Sequence, residues 1–161
     1  MKIISSLVFV WLLTGCAMNQ SGSNLLSGQV SAGSVTDAIA KLNVQQKEEC
    51  MKPEYAPLRL KAPCSTKDLT FAQLADTTKM TDVQKDLFMQ ATTVMDSYSR
   101  SITDLYRQTG TPPGLKIADA RDWAYAQSTQ NRLELVERKI TWGNYLKQRQ
   151  QIEQDMLKRA Q

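Results

Sequence analysis

Residues 81–113 read "TDVQKDLFMQATTVMDSYSRSITDLYRQTGTPP", and this stretch decides the fold. Thr81 stands three residues before Gln84, the spacing at which a hydroxyl and an amide side chain cap each other's backbone donors at a helix start. Behind that cap Leu87, Ala91, Val94, Tyr98, Ile102 and Leu105 recur at steps of four, three, four, four and three. Those steps keep one apolar stripe on one face of an α-helix. Gly110 and the pair Pro112-Pro113 then stop it, because glycine accepts the left-handed backbone of a helix end and proline cannot continue the ladder. The stretch therefore predicts one long amphipathic helix, and a chain holding it must bury that stripe against other elements.

The neighbouring segments supply them. A first helix is expected from about Ser34 to Cys50, with Ala38, Ile39, Leu42 and Gln46 near one face and Ser34 or Thr36 as its cap. In "MKPEYAPLRLKAP", residues 51–63, three prolines remove backbone donors and bias their predecessors toward extended geometry, which predicts a loop. A short helix is expected near Phe71 and Leu74. A further helix should cover roughly Leu115 to Lys139, with Trp123, Ala126, Leu133, Val136 and Ile140 as its stripe, interrupted by polar "QSTQN" at 127–131. A last helix begins after Thr141, with Trp142, Tyr145, Arg149, Ile152 and Met156 on one face. Short connections make neighbouring helices antiparallel, so 115–160 reads as a helical hairpin. No strand alternation or solenoid repeat is present. The expected fold is all-α: a small bundle of about four helices with a C-terminal helical hairpin and one disulfide-clipped loop.

The chain opens "MKIISSLVFVWLLTGC". Lys2 precedes the run Ile3–Leu13, which as a helix rises about 16 Å, roughly half of a bilayer's hydrocarbon core. That is short for a membrane span and suits the apolar region of a signal peptide. Leu13-Thr14-Gly15-Cys16 resembles the lipobox of bacterial lipoproteins. The resemblance implies that Cys16 receives a diacylglyceryl group on sulfur, that residues 1–15 are removed as a lipoprotein signal peptide, and that the new amine is acylated. Two or three acyl chains anchor almost permanently where one is marginal. Ala17, in place of an aspartate, implies transfer to the outer membrane by likeness to enterobacterial lipoproteins. Residues 16–33, which continue from Cys16 as the uncharged "AMNQSGSNLLSGQVSAG", read as a lipidated flexible tether spanning roughly 20–25 Å. Residues 34–161 are then the helical domain. The segment "LELVERKITWGNYLKQRQQ" is similar to the closing hairpin of small uncharacterised bacterial envelope proteins; Lys139 stands where those have glycine, and Asn144 where they have an acid. That likeness carries no activity with it.

Composition narrows the function classes. Without the leader the formal charge falls from +4 to +3, since only Lys2 is lost. Acids are interspersed with the bases, so no nucleic-acid footprint is present. Histidine is absent, which removes the commonest general base near neutral pH and the commonest transition-metal ligand. No phosphate loop, nucleophile elbow or metal-ligand spacing occurs, and neither a catalytic residue nor a cofactor or metal is expected. Cys50 and Cys64 enclose 13 residues in a domain expected to be exported, where disulfides persist. Their bond would contribute about 3 kcal/mol on chain-entropy grounds.

Several side chains offer more than one reading. Asp119 and Asp122 flank Arg121 and read as a carboxylate pair or as acids favouring the start of a helix. Polar 127–131 reads as a lined pocket or as a solvated stretch. Arg149, on an apolar stripe, either meets an anionic partner or snorkels past the core edge. Trp123, Trp142 and Tyr145 are expected to gather at the turn of the hairpin, as core or as a sugar- or peptide-binding face. Tyr55, Leu58 and Leu60, with Pro57, lie in the clipped loop among Lys52, Arg59 and Lys61, as either an interaction loop or a lid over the helices. The partner-binding candidates are thus Tyr55, Leu58, Leu60, Trp142, Tyr145 and Arg149.

The sequence leads us to expect no enzyme. It suggests a lipoprotein anchored at the outer membrane and facing the periplasm, which acts as an accessory or interaction subunit of an envelope machine for secretion, conjugation or assembly. Its expected partners are the membrane through the lipid and an envelope protein. In size, helix content, lipidation and disulfide use it is similar to pilotins of secretion systems, an analogy of architecture alone. The competing expectation is a peptidoglycan- or glycan-binding module using Trp142, Tyr145 and Arg149.

Overall fold

The computed structural model describes residues 32–161, so Cys16 and most of the expected tether lie outside the described residues. Six α-helices follow one another: α1 (Ala32–Met51), α2 (Ala56–Lys61), α3 (Phe71–Leu74), α4 (Asp82–Gln108), α5 (Pro112–Val136) and α6 (Trp142–Ala160). Short 3₁₀ turns lie at Pro53–Tyr55 and Thr66–Asp68. The fold is all-α, with no strand among the described residues. None of these helices is long and apolar enough to cross a membrane.

The caps decide where the long helices begin. Thr81 accepts from the Gln84 amide at 3.3 Å, and the Gln84 carboxamide oxygen accepts from the Thr81 amide at 3.0 Å. The expected capping box is therefore present. α4 ends at Gln108, and Gly110 just beyond takes a φ of +61°, one that a residue with a Cβ adopts only under strain. α5 starts at Pro112, three residues earlier than the stripe suggested. Both prolines sit at N1 and N2, where the missing N–H has no intrahelical partner to lose, and Thr111 caps the turn by accepting from Gly114. α5 also stops early, at Val136. There Arg138 turns left-handed (φ +58°), and the amides of Arg138 and Lys139 close onto the carbonyls of Leu135 and Glu134 at 3.0 and 2.8 Å. This double closure satisfies the last carbonyls of the helix.

α4, α5 and α6 run antiparallel in turn, and α1 packs along α4. The apolar core gathers at one end of this bundle, where α4 and α6 begin and α5 ends. Tyr55, Leu58, Met80, Phe88, Leu135, Trp142, Tyr145 and Leu146 are buried together there. Phe88, Trp142 and Tyr145 meet pairwise edge to face, with centroids 5.8–6.0 Å apart, the arrangement ring quadrupoles favour. Trp142 is fully buried, so its indole N–H needs an acceptor and finds the capping Gln84 oxygen at 3.3 Å.

The start of α6 is seated on the extended segment between α3 and α4. Trp142 N donates to Thr78 O at 3.0 Å and Gly143 N to Asp76 O at 2.8 Å, while Asn144 N donates to the Thr141 hydroxyl. All three leading amides, which no helix can satisfy by itself, are thus paired. The approach leaves no room at Gly143: a Cβ there would lie 2.5 Å from Leu74 O and 2.8 Å from Asp76 O, both backbone atoms. Gly143→Ala is accordingly expected to lower the unfolding free energy by about 1–3 kcal/mol, as overpacking does. Gly33→Ala, with open space around it, should leave stability unchanged or raise it by up to about 1 kcal/mol on helix propensity. Urea titration followed by circular dichroism measures both.

Candidate functional site

At the apolar end of the bundle the chain folds over itself between Cys50 and Cys64. These two cysteines form a disulfide, with Cα atoms 6.0 Å apart. The segment it encloses is not the expected loop. It forms the 3₁₀ turn Pro53–Tyr55 and helix α2. Pro53 and Pro57 each stand in a first turn, where proline's fixed φ and missing donor suit a helix start. Its inner face, Tyr55 and Leu58, is core at 7 % and 6 % exposure, while Leu60 faces outward at 79 %.

The fastenings of this segment are polar and use charged side chains. Arg59 Nη1 donates to the carbonyls of Cys50 (2.8 Å) and Lys52 (2.7 Å), closing the end of α1 with a positive charge. Arg149 reaches from α6 to donate to Pro63 O at 2.8 Å and Cys64 O at 3.0 Å. It is thus neither a partner's ligand nor a snorkelling side chain but a clamp on the second half-cystine. Gln73 of α3 donates to Leu60 O at 3.2 Å. Thr66 and Glu153 are hydrogen-bonded between the second 3₁₀ turn and α6. Lys61 Nζ lies 2.8 Å from Asp76 Oδ2, and Asp76 Oδ1 accepts from both the amide (2.8 Å) and the hydroxyl (2.6 Å) of Thr78. Burial alone would raise the Asp76 pKa, but the bonds from Lys61 and Thr78 outweigh it and hold the carboxyl below the ordinary aspartate range.

Burial decides for core in the aromatic cluster and for a lid in the clipped segment, and it corrects other readings. Trp142 and Tyr145 are buried, and so are Tyr55 and Leu58, while Arg149 is spent on backbone carbonyls. Of the six partner-binding candidates, Leu60 alone stands well out in solvent. A sugar-binding face built on Trp142, Tyr145 and Arg149 has neither aromatic ring exposed to stack on a sugar. Trp123 does not join that cluster; the Arg159 guanidinium covers its ring at 4.1 Å, toward the other end of α6. Asp119 and Asp122 lie two turns or more into α5, which begins at Pro112, so they do not serve the helix start. Asp122 pairs with Arg107 instead. The expected α5 stripe is also displaced: Leu133 is half exposed and Ala126 exposed, whereas Ala118, Ala120, Ala124, Asn131 and Leu135 are buried. Asn131, in the polar stretch taken as a pocket or solvated, donates to Tyr145 O at 3.0 Å across the α5–α6 interface.

Among the exposed apolar side chains at this pole, which include Met51 and Val83, two stand on short helices tied to each other. Leu60 of α2 is joined by Phe71 of α3, 87 % exposed, and Gln73 ties the two helices together. Sequence reasoning placed Phe71 in its helix with Leu74 but missed its exposure. The available signal was length: a helix of four residues has one inward position, and Leu74, packed against the core, takes it.

The Asp76 contacts make the fastening acid-sensitive. A carboxyl whose folded pKa is depressed adds stability above its unfolded pKa, near 4, and loses it as pH falls through the folded value. The stability difference between the native protein and Asp76→Asn should therefore be constant above about pH 5 and shrink steadily below about pH 4; chemical denaturation across that range measures it. No family model matches the chain, nor does any curated protein or solved structure.

Proposed function

We propose that this chain is a lipid-anchored protein of the bacterial envelope that works by protein–protein contact, with Leu60 and Phe71 as the centre of its docking surface and an envelope protein as occupant. Acylation at Cys16 supplies the anchor, and the outer membrane's periplasmic face is the proposed location. No catalytic step is part of this reading.

One observation carries it: two large apolar side chains, 79 % and 87 % exposed, stand on short helices, one inside the disulfide-enclosed segment and one tied to it through Gln73. The disulfide, Arg59, Arg149 and Gln73 remove the ordering entropy of that segment before any encounter. Preorganisation of this kind raises affinity without enlarging the contact. An isolated exposed apolar residue is ordinary, but two on linked and fastened helices supply a centre that a partner would desolvate.

The position of the tether favours a protein over the anchor's own membrane. α1 ends beside the disulfide, and its 20 residues rise about 30 Å from there to Ala32. A tether joined at Ala32 leaves Leu60 and Phe71 at the far pole of the bundle.

Photo-crosslinkers at positions 60 and 71 test the reading in cells. They should yield the same discrete adduct with an envelope protein, and a crosslinker at exposed Lys116 should not. The adduct should vanish in the double variant Leu60→Ser/Phe71→Ser, whose stability changes by no more than about 0.5 kcal/mol per exposed site. Cys16→Ser should abolish palmitate labelling. Adducts shared with position 116, or found only with lipid, contradict the docking surface; an unlabelled native chain contradicts the anchor.

A further inference from the structure

The opposite half of the bundle is held by a different chemistry. Along the α4–α5 seam, Asp96, Ser99, Arg100, Thr103, Asp104 and Arg107 of α4 face Arg121, Asp122, Tyr125 and Arg132 of α5. A cleft of about 300 Å³ opens here, lined by Ser99, Arg100, Thr103, Asp104, Arg107, Asp122 and Tyr125. That volume is at the lower end for ligand clefts, so an occupant must be small.

The charged residues named in this seam, four arginines and three aspartates, leave one net positive charge. Arg107 is paired with Asp104 and Asp122. Asp96 receives Arg132 at 2.7 Å and the Tyr125 hydroxyl at 3.1 Å, and that hydroxyl accepts from Arg100 at 2.8 Å. The lining itself holds two arginines and two aspartates, and the Asp96–Arg132 pair behind it is neutral. Arg121 adds a further positive charge with no carboxylate to meet it. Its Nε donates to the Thr103 hydroxyl at 3.1 Å and its Nη2 to Ser99, at 3.3 Å to the carbonyl and 3.4 Å to the hydroxyl. Burial lowers its pKa, with the Tyr106 phenol opposing, but a guanidinium remains charged at any neutral pH. A half-buried cation held only by neutral oxygens is undercompensated.

The two hydroxyls that Arg121 holds are those that line the cleft. Thr103 donates its hydrogen to Ser99 O at 2.9 Å. The Ser99 hydroxyl accepts from Arg121 and has no acceptor of its own among the described residues. A donor polarised by a half-buried guanidinium therefore stands beside the exposed Arg100 in a cleft whose surroundings carry one net positive charge.

We propose that the α4–α5 cleft binds a small ligand through a single carboxylate, held by the Ser99 hydroxyl and the Arg100 guanidinium in the field of Arg121. The monovalent charge selects the class. One carboxylate neutralises the site, whereas a doubly charged phosphate would exceed the excess and face Asp104 and Asp122. The carboxyl terminus of a short peptide has the right size and charge. This site is independent of the docking surface at Leu60 and Phe71.

Isotope-labelled full-length chain in a zwitterionic detergent, titrated with alanyl-alanine, alanyl-alaninamide, acetate and inorganic phosphate, tests it by amide chemical shifts. Alanyl-alanine should shift Ser99, Thr103 and Tyr125 with millimolar affinity, and the amide should bind at least about tenfold more weakly for want of a charge-assisted bond. A response to acetate equal to that of the dipeptide supports a free carboxylate as ligand; a stronger response to the dipeptide supports a peptide terminus. Ser99→Ala should weaken binding about tenfold, and Arg121→Met should abolish it; if Arg121→Met does not fold, Ser99→Ala carries the test. No shift at these residues, equal shifts with the amide, tighter binding of phosphate, or undiminished binding by Ser99→Ala overturns the proposal.

Discussion

The structure depends on how one helix starts. α6 brings Trp142 into the core at its first residue, and a helix start arrives with amides that have no partner of its own making. Buried without acceptors, each would cost on the order of 1–3 kcal/mol. Thr78 O, Asp76 O and the Thr141 hydroxyl meet them, and Gln84, already capping α4, meets the indole. The same four contacts fix the segment between α3 and α4, the start of α4 and the end of the hairpin relative to one another. Everything at the disulfide pole is stacked on that joint: Tyr55 and Leu58 pack on its rings, and Lys61 binds the same Asp76 whose carbonyl receives Gly143. Gly143 is what allows the backbones to meet so closely.

Two unlike halves result. At one pole the apolar area of eight buried residues supplies the driving force, each large side chain contributing about 1.5–3 kcal/mol. Along the α4–α5 seam buried Thr103 and its neighbours are joined by hydrogen bonds between polar side chains, from Arg121 to Thr103 and from Tyr125 to Asp96. Such a seam contributes little net stability, since exposed ion pairs such as Arg107–Asp104 are worth under about 1 kcal/mol. Its worth is in chemistry, because a core of leucines offers no bond to a polar ligand. The rigid pole and the polar seam thus suit different tasks on one scaffold.

How much of this was legible in the sequence follows from the range of each interaction. Thr81 with Gln84, Thr141 before Trp142, and the Leu87–Leu105 stripe act within a few residues, and the helices they announced are present. The disulfide also followed from local spacing and the expected compartment. Where reasoning failed, a distant partner had changed the meaning of a residue. Prolines 53 and 57 looked like breakers, yet a short helix that holds each in its first turn loses no donor, and the core then claims Tyr55 and Leu58. The α5 stripe was sought among large apolar residues, whereas three alanines, Asn131 and Leu135 form the buried face, and Asn131 belongs there because it donates to Tyr145 O on α6. Arg149 looked like an outlier on an apolar face until the carbonyls of Pro63 and Cys64, 86 and 85 residues away, were placed before it. Phe71 and Arg121 became candidates for function only when burial and partners were known.

Native-state amide hydrogen exchange tests the central joint most directly. The amides of Trp142 and Gly143, which donate to Thr78 O and Asp76 O across the fold, are predicted to exchange only through global unfolding. Their opening free energy should equal that of the slowest amides in the middle of α4 and respond identically to denaturant. Exchange of these two amides by a small local opening, while α4 and α5 remain protected, would contradict the account.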